Sequence, residues 1–177
     1  YMVDAIDKIP SKPLPFGTTH RSKPDVIVVM SESLWDPTRI DSVKLSQDPM
    51  PVIRESQGGH VFSPEFGGLT ANIEFEALTG FSNAFLPTGS IPYQQYIRKP
   101  IPSLATFFRA EGYTARAIHP FSGWFWNRSS VYKAFGFETF RDVDKMPPLA
   151  KRGNFTSDEA LTKEIIRPTA ASKGLFF

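Results

Sequence analysis

With 177 residues, 41% of them hydrophobic, the chain can bury one sizeable core, and nothing in its composition suggests disorder. The 20 Lys and Arg against 18 Asp and Glu leave a net charge of +2 with no basic run, which argues against nucleic acid as a partner. There is no cysteine, so disulfides, thiolate metal sites and cysteine nucleophiles are excluded, and no stretch reaches the ~20 apolar residues that span a bilayer.

Residues 1–23 carry Pro10, Pro13 and Pro15 among polar residues and read as an extended lead-in or linker, without the apolar core of a signal peptide. Residues 24–177 read as the folded part. Asp25 to Met30, a β-branched apolar run, predicts a central parallel strand buried on both faces. Asp48 and Pro49 then open a short helix that Gly58 and Gly59 end, and His60 to Ser63 form a further short strand.

The loop Phe66-Gly67-Gly68-Leu69-Thr70 leads into a helix from Ala71 to Thr79, closed by Gly80, which places Thr70 at a helix N-terminus. Ser103 caps a helix over Leu104 to Glu111, and Gly112 hands over to a strand from Tyr113 to His119. Ser129 opens a helix that ends at Gly136. Thr156 with Glu159 makes a capping box for a helix reaching about Arg167, and Gly174 to Phe177 begins an apolar strand. Helices alternate with strands, so the fold class is α/β with a mostly parallel central sheet. The chain ends on that apolar strand rather than in a polar linker, as expected for a truncated domain.

Three groups of residues have the chemistry of a site. Glu32, between Ser31 and Ser33 at the carboxyl end of the first strand, is either a metal ligand or an ordinary loop carboxylate. Thr70 joins a hydroxyl to a glycine-rich approach and a helix N-terminus, so it is either a nucleophile whose phosphoryl partner the free N–H groups hold, or a simple cap. His119, Trp126, Asn127 and Arg128 lie in the densest aromatic and polar cluster of the chain, which is either a core cluster or a pocket for a phosphorylated polyol. Pro92 to Tyr96 reads as a structural loop, and His20 and His60 lack metal-ligand spacing.

Together, DVIVVMSESLWDPT at 25–38, SPEFGGLTANIEFEALTG at 63–80, FLPTGSIPYQQYI at 85–97 and AIHPFSGWFWNR at 117–128 resemble the lipoteichoic acid synthase family of phosphoglycerol transferases, within the alkaline phosphatase and sulfatase superfamily. The resemblance implies a three-layer fold of which residues 24–177 are the N-terminal portion. It further implies Glu32 as a metal ligand, Thr70 as the metal-bound nucleophile, and His119, Trp126 and Arg128 as the residues that grip glycerophosphate. The implied cation is manganese or magnesium, both suited to hard oxygen ligands.

The reaction so implied has two steps, with phosphatidylglycerol as lipid donor and a glycerophosphate or glycan of the cell envelope as acceptor. A downstream Asp-His pair on the metal and a further substrate histidine fall beyond residue 177, so residues 1–177 alone are expected to bind metal poorly and not to turn over. The family's catalytic domain is extracytoplasmic, at the cell surface or in the periplasm, on a membrane-anchored parent. A phosphodiesterase or sulfuric ester hydrolase with the same nucleophile is the first alternative. The formylglycine motif of sulfatases is matched only by Ser90-Ile91-Pro92-Tyr93-Gln94, where Gln94 stands in place of the required Arg. A non-catalytic module that binds glycerophosphate polymers is the second alternative.

Overall fold

The computed structural model describes residues 24–31, 33–56, 58–59, 61–169 and 174–176, with backbone alone for 168, 169 and 174–176. The lead-in over residues 1–23, Glu32 and His60 lie outside the described residues. In chain order the elements are β1 (Val26–Ile27), α1 (Pro51–Ser56), α2 (Thr70–Thr79), α3 (Pro92–Gln95), α4 (Leu104–Ala110), β2 (Thr114–Ile118), α5 (Arg128–Ala134), β3 (Thr139–Arg141), β4 (Lys151–Arg152), β5 (Phe155–Thr156), α6 (Asp158–Thr169) and β6 (Gly174–Phe176).

Four strands form one sheet in the order β1-β6-β2-β3, and every pairing in it is parallel. Parallel neighbours cannot be joined by a tight hairpin, and here α5 supplies the crossover between β2 and β3. The α/β class and the parallel sheet are therefore as the alternating pattern requires. Strands β4 and β5 make a separate antiparallel pair.

The core lies where α2, α3, α4 and α5 meet β2. Ala71, Phe75 and Leu78 of α2 follow one another at helical spacing and are buried, together with Tyr93, Ile97, Ile101, Ala105, Val131, Tyr132, Phe135 and Phe137. On β2 the small residues Ala115 and Ala117 face this cluster, which lets the layer approach the sheet closely. Aromatic edges fill the remainder: Tyr93 meets Phe135 edge-on at 5.6 Å, and Tyr132 stacks on Phe140 at 4.7 Å. Burying each such ring is worth about 1.5–3 kcal/mol.

The helix boundaries follow from local chemistry. Gly80, at φ 72°, closes α2 by donating its N–H to the Glu76 carbonyl. Ser103 caps α4 in a reciprocal box with Thr106, whose hydroxyl accepts from the Ser103 N–H at 2.8 Å. Helix α1 starts two residues later than Pro49, because the Asp48 carboxylate accepts from the Met50 N–H in the turn before it. Arg54 then bridges Asp48 and Asp36, each at 2.7 Å, tying this exposed segment together.

Three expectations need correction. The run from Asp25 to Met30 is a ladder strand only at Val26–Ile27, and it sits at the edge of the described sheet, with Ile27 48% and Val29 71% exposed. An apolar run records that faces are to be covered, not which neighbours cover them. No strand forms over residues 61–63, where Val61 and Phe62 are exposed. At α6 the cap is Ser157, whose hydroxyl accepts from the Ala160 N–H at 3.2 Å, because Thr156 is drawn into the β4–β5 ladder opposite Lys151.

Candidate functional site

Parallel strands end at the same edge of a sheet, and ligands of α/β proteins gather at the carboxyl edge. Three segments leave β1, β2 and β3 there: the turn at Ser31 and Ser33, the loop that starts at His119, and Asp142. Glu32 belongs to the first of these and lies outside the described residues.

Thr70 is the first residue of α2 and is half-buried. The approach to it turns through three successive left-handed residues, Gly67 at φ 76°, Gly68 at φ 136° and Leu69 at φ 59°. Two glycines adopt this freely, whereas Leu69 enters it at a cost of about 1–3 kcal/mol. The turn leaves Thr70 at the head of a ten-residue helix whose first N–H groups and dipole favour an anion. Among the described residues nothing donates to or accepts from its hydroxyl.

One turn further along α2, about 6 Å by helical rise, lies Glu74, only 3% exposed. Its carboxylate receives Arg128 through Nη2 at 2.8 Å and Nε at 3.1 and 3.2 Å, and the Tyr132 hydroxyl at 3.1 Å. Burial first, and the Glu74 charge second, hold the Tyr132 phenol well above its ordinary range, so it stays a donor. The sequence marks Arg128 as a group for phosphate, and the structure turns it inward: it is 2% exposed, with Glu74 as its main partner. Its Nη1 edge makes a weaker contact of 3.4 Å with the Phe125 carbonyl. Sequence reasoning missed Glu74. The available signal was an acidic residue inside the apolar stripe of Ala71, Phe75 and Leu78, which calls for a buried cation.

The loop between His119 and Arg128 brings the remaining candidates together. His119 anchors the loop start by donating its backbone N–H to the Arg141 carbonyl at 2.9 Å. Its imidazole is pushed down to about 4 by burial and then by the charge of Arg128, with Asp142 opposing, so it is neutral at physiological pH. Trp126 packs on the core and tilts against Phe125 at 5.1 Å, while Trp124 stands 74% exposed beside it. Trp126 and Asn127 are both left-handed, at φ 56° and 57°, and immediately precede Arg128. Two consecutive non-glycine residues in that region cost about 1–3 kcal/mol each, so the surrounding contacts must hold them there.

No three His, Cys, Asp or Glu side chains converge on a cation position among the described residues. The Thr70 hydroxyl is a hard oxygen donor of the type magnesium and manganese prefer, but the described residues do not complete a cage around it. Ser90, the serine of the incomplete formylglycine motif, is 9% exposed, with its hydroxyl 3.3 Å from Tyr96 Oη and its carbonyl accepting from Asn72. It is a structural residue. Among the described residues no helix is long and apolar enough to cross a membrane.

The sulfatase family model matches residues 24–177. A Rhizobium meliloti (strain 1021) protein named for cyclic beta-1,2-glucan modification is 75% identical over the whole of this chain, which covers 28% of that protein. An uncharacterized Haemophilus influenzae protein is 28% identical over 80% of the chain, which covers 27% of it. The chain thus spans under a third of the length of these relatives. Among solved structures, the Streptococcus pyogenes phosphoglycerol transferase GacH in complex with sn-glycerol-1-phosphate is 30% identical, with a TM-score of 0.72, covering 86% of this chain and 43% of that one. The Listeria monocytogenes lipoteichoic acid synthase LtaP shares the fold, at 24% identity and a TM-score of 0.55, covering 65% of this chain and 28% of that one.

Proposed function

Because this chain belongs to the sulfatase family, an enzyme family of the alkaline phosphatase superfamily, we propose that it forms part of a phosphoglycerol transferase with Thr70 as nucleophile. The observation that carries the reading is the placement of Thr70: a hydroxyl at the head of α2 with no hydrogen-bond partner among the described residues, on the helix that Glu74 ties to the His119–Arg128 loop. The likeness to a phosphoglycerol transferase with bound sn-glycerol-1-phosphate supports it.

In the first step the Thr70 hydroxyl oxygen attacks the phosphorus of a phosphatidylglycerol-type donor. The bond from phosphorus to the diacylglycerol oxygen breaks, and the proton lost by Thr70 is matched by the one diacylglycerol takes up. In the second, an acceptor hydroxyl attacks the same phosphorus, the bond to Thr70 breaks, and Thr70 regains a proton. The N-terminal N–H groups of α2 stabilise charge on the phosphoryl oxygens. His119, held neutral, donates one hydrogen bond rather than a charge, Trp126 offers a flat apolar face to the glycerol, and Arg128, whose guanidinium is taken up by Glu74 and the Phe125 carbonyl, anchors the loop that presents them. Glu32 and Thr70 would hold manganese or magnesium with further ligands outside residues 1–177, and the cation when bound would lower the pKa of the hydroxyl. A glycan acceptor is favoured by the 75% identical relative named for cyclic beta-1,2-glucan modification. The whole protein then acts extracytoplasmically from a membrane anchor.

The test is intact-protein mass spectrometry of the full-length protein with manganese and phosphatidylglycerol, beside Thr70→Ala. The expected result is a glycerophosphate adduct on the wild type that is absent from Thr70→Ala, with diacylglycerol released. Adduct formation followed by release of free glycerophosphate in the presence of glucan would make the enzyme a phosphodiesterase. No adduct and no diacylglycerol, with glycerophosphate still bound, would replace the transferase by a binding module.

A further inference from the structure

Resting on the transferase reading, we propose that Glu74 is a positioning residue: its buried carboxylate clamps Arg128 and Tyr132 so that the glycerophosphate-binding loop is held at a fixed distance from Thr70. Three observations converge. Thr70 and Glu74 stand one turn apart on α2, so attacking hydroxyl and clamp share one rigid element. The clamp itself crosses 54 residues of sequence, with Arg128 Nε and Nη2 and the Tyr132 hydroxyl all on one carboxylate whose side chain is 4% exposed. And Arg128 directly follows Trp126 and Asn127, whose left-handed backbone needs an anchor on its carboxyl side. The backbone closes the turn on itself, through the Asn127 N–H on the Trp124 carbonyl and the Ser129 N–H on the Gly123 carbonyl, both at 2.9 Å, and Arg128 is the side chain in it that reaches α2.

A buried ion pair is a poor source of stability, because the desolvation of two charges offsets most of their attraction, and well-packed apolar residues commonly do as well. What the pair supplies is direction, since a guanidinium held by both Nε and Nη2 cannot rotate. A displacement of about 1 Å between nucleophile and phosphorus costs on the order of 10²-fold in rate. A clamp between the two elements that carry them is therefore where positioning has most effect.

The experiment compares full-length wild type, Glu74→Gln, Glu74→Asp and Tyr132→Phe, with thermal unfolding as the folding control. Two readouts are taken per folded protein: the affinity for sn-glycerol-1-phosphate by calorimetry, and kcat against KM for diacylglycerol release. Glu74→Gln keeps the shape and loses the charge, so affinity is expected to weaken about tenfold and kcat to fall about 10–100-fold, with KM for the lipid changed less than threefold. Glu74→Asp should recover part of the loss, and Tyr132→Phe, which removes one hydrogen bond and leaves the ion pair, should lose about 3–10-fold. Folded Glu74→Gln and Tyr132→Phe proteins with wild-type affinity and wild-type kcat would overturn the proposal. Absence of diacylglycerol release from the wild type would instead count against the transferase reading, and the affinity ratios would then decide the positioning role alone.

Discussion

Gly123→Ala tests whether the loop between His119 and Arg128 is set by close packing against the sheet edge. Gly123 is buried, and a Cβ at this position would lie 2.1 Å from Asp142 Oδ2 and 2.5 Å from Ser129 Oγ. Ser129 is exposed and its hydroxyl can swing away. Asp142 cannot do so freely: it is 3% exposed, and Oδ2 is fixed by Lys145 Nζ at 2.7 Å. Relieving the contact means moving the carboxylate or the loop by more than an ångström. Overpacking of this kind costs about 1–3 kcal/mol, which in a domain of this size lowers Tm by roughly 2–12 °C. If the loop gives way, the Gly123 carbonyl that receives the Ser129 N–H moves with it, and so do Trp126 and Arg128. Affinity of the full-length protein for glycerophosphate should then fall by about tenfold or more. Thermal unfolding and calorimetry on Gly123→Ala, Asp142→Ala and the double variant read both effects, and the double variant should recover affinity because the clashing carboxylate is gone. A Gly123→Ala protein that melts and binds as wild type, or a double variant no better than the single, would refute the packing argument.

The folded-state pKa of His119, about 4, is depressed from the usual 6.5, so the unfolded chain binds the extra proton between these values; the stabilising contribution, about 3 kcal/mol, is complete above pH 6.5 and is lost as the pH falls towards 4. His119→Gln should flatten the dependence of the urea midpoint on pH in that window, and an unchanged slope would show that the imidazole is not held neutral. Ser103 both caps α4 and donates its hydroxyl to the Phe135 carbonyl, whereas Ser157 only caps α6. Ser103→Ala should therefore cost about 2–3 kcal/mol and Ser157→Ala about 1, by urea unfolding, and equal losses would mean that the buried link to Phe135 contributes nothing.

What the sequence made legible was chemistry closed within one segment. The head of α2, its glycine stop at Gly80 and the Ser103 cap all depend on neighbours within about four residues, and each is found close to where the pattern puts it. Even Gly174 to Phe176 is a strand, inserted between β1 and β2. The exposed edge position of β1 was not legible, because Val26 and Ile27 pair with residues almost 150 positions away. The cap of α6 moved to Ser157 because a ladder partner at Lys151 claims Thr156. The sequence offers Arg128 as a group for phosphate and gives no sign of its partner, since Glu74 lies on another helix and only the fold brings the two together.

The same division applies to the candidate site. A parallel sheet places the segments after β1, β2 and β3 on one edge, and that coarse arrangement follows from strand direction alone. Edge placement leaves several ångströms of freedom between loops, whereas a phosphoryl transfer tolerates about one. Something stiffer than loop closure must therefore join the helix that carries Thr70 to the loop that carries His119 and Trp126. Among the described contacts, hydrogen bonds within the loop fix its shape but not its distance from α2. The Glu74–Arg128 pair is buried, multidentate and anchored at both ends on helices, one turn below Thr70 and one residue after the left-handed turn. Its position meets that need, at a charge-burial cost that packing alone would not call for.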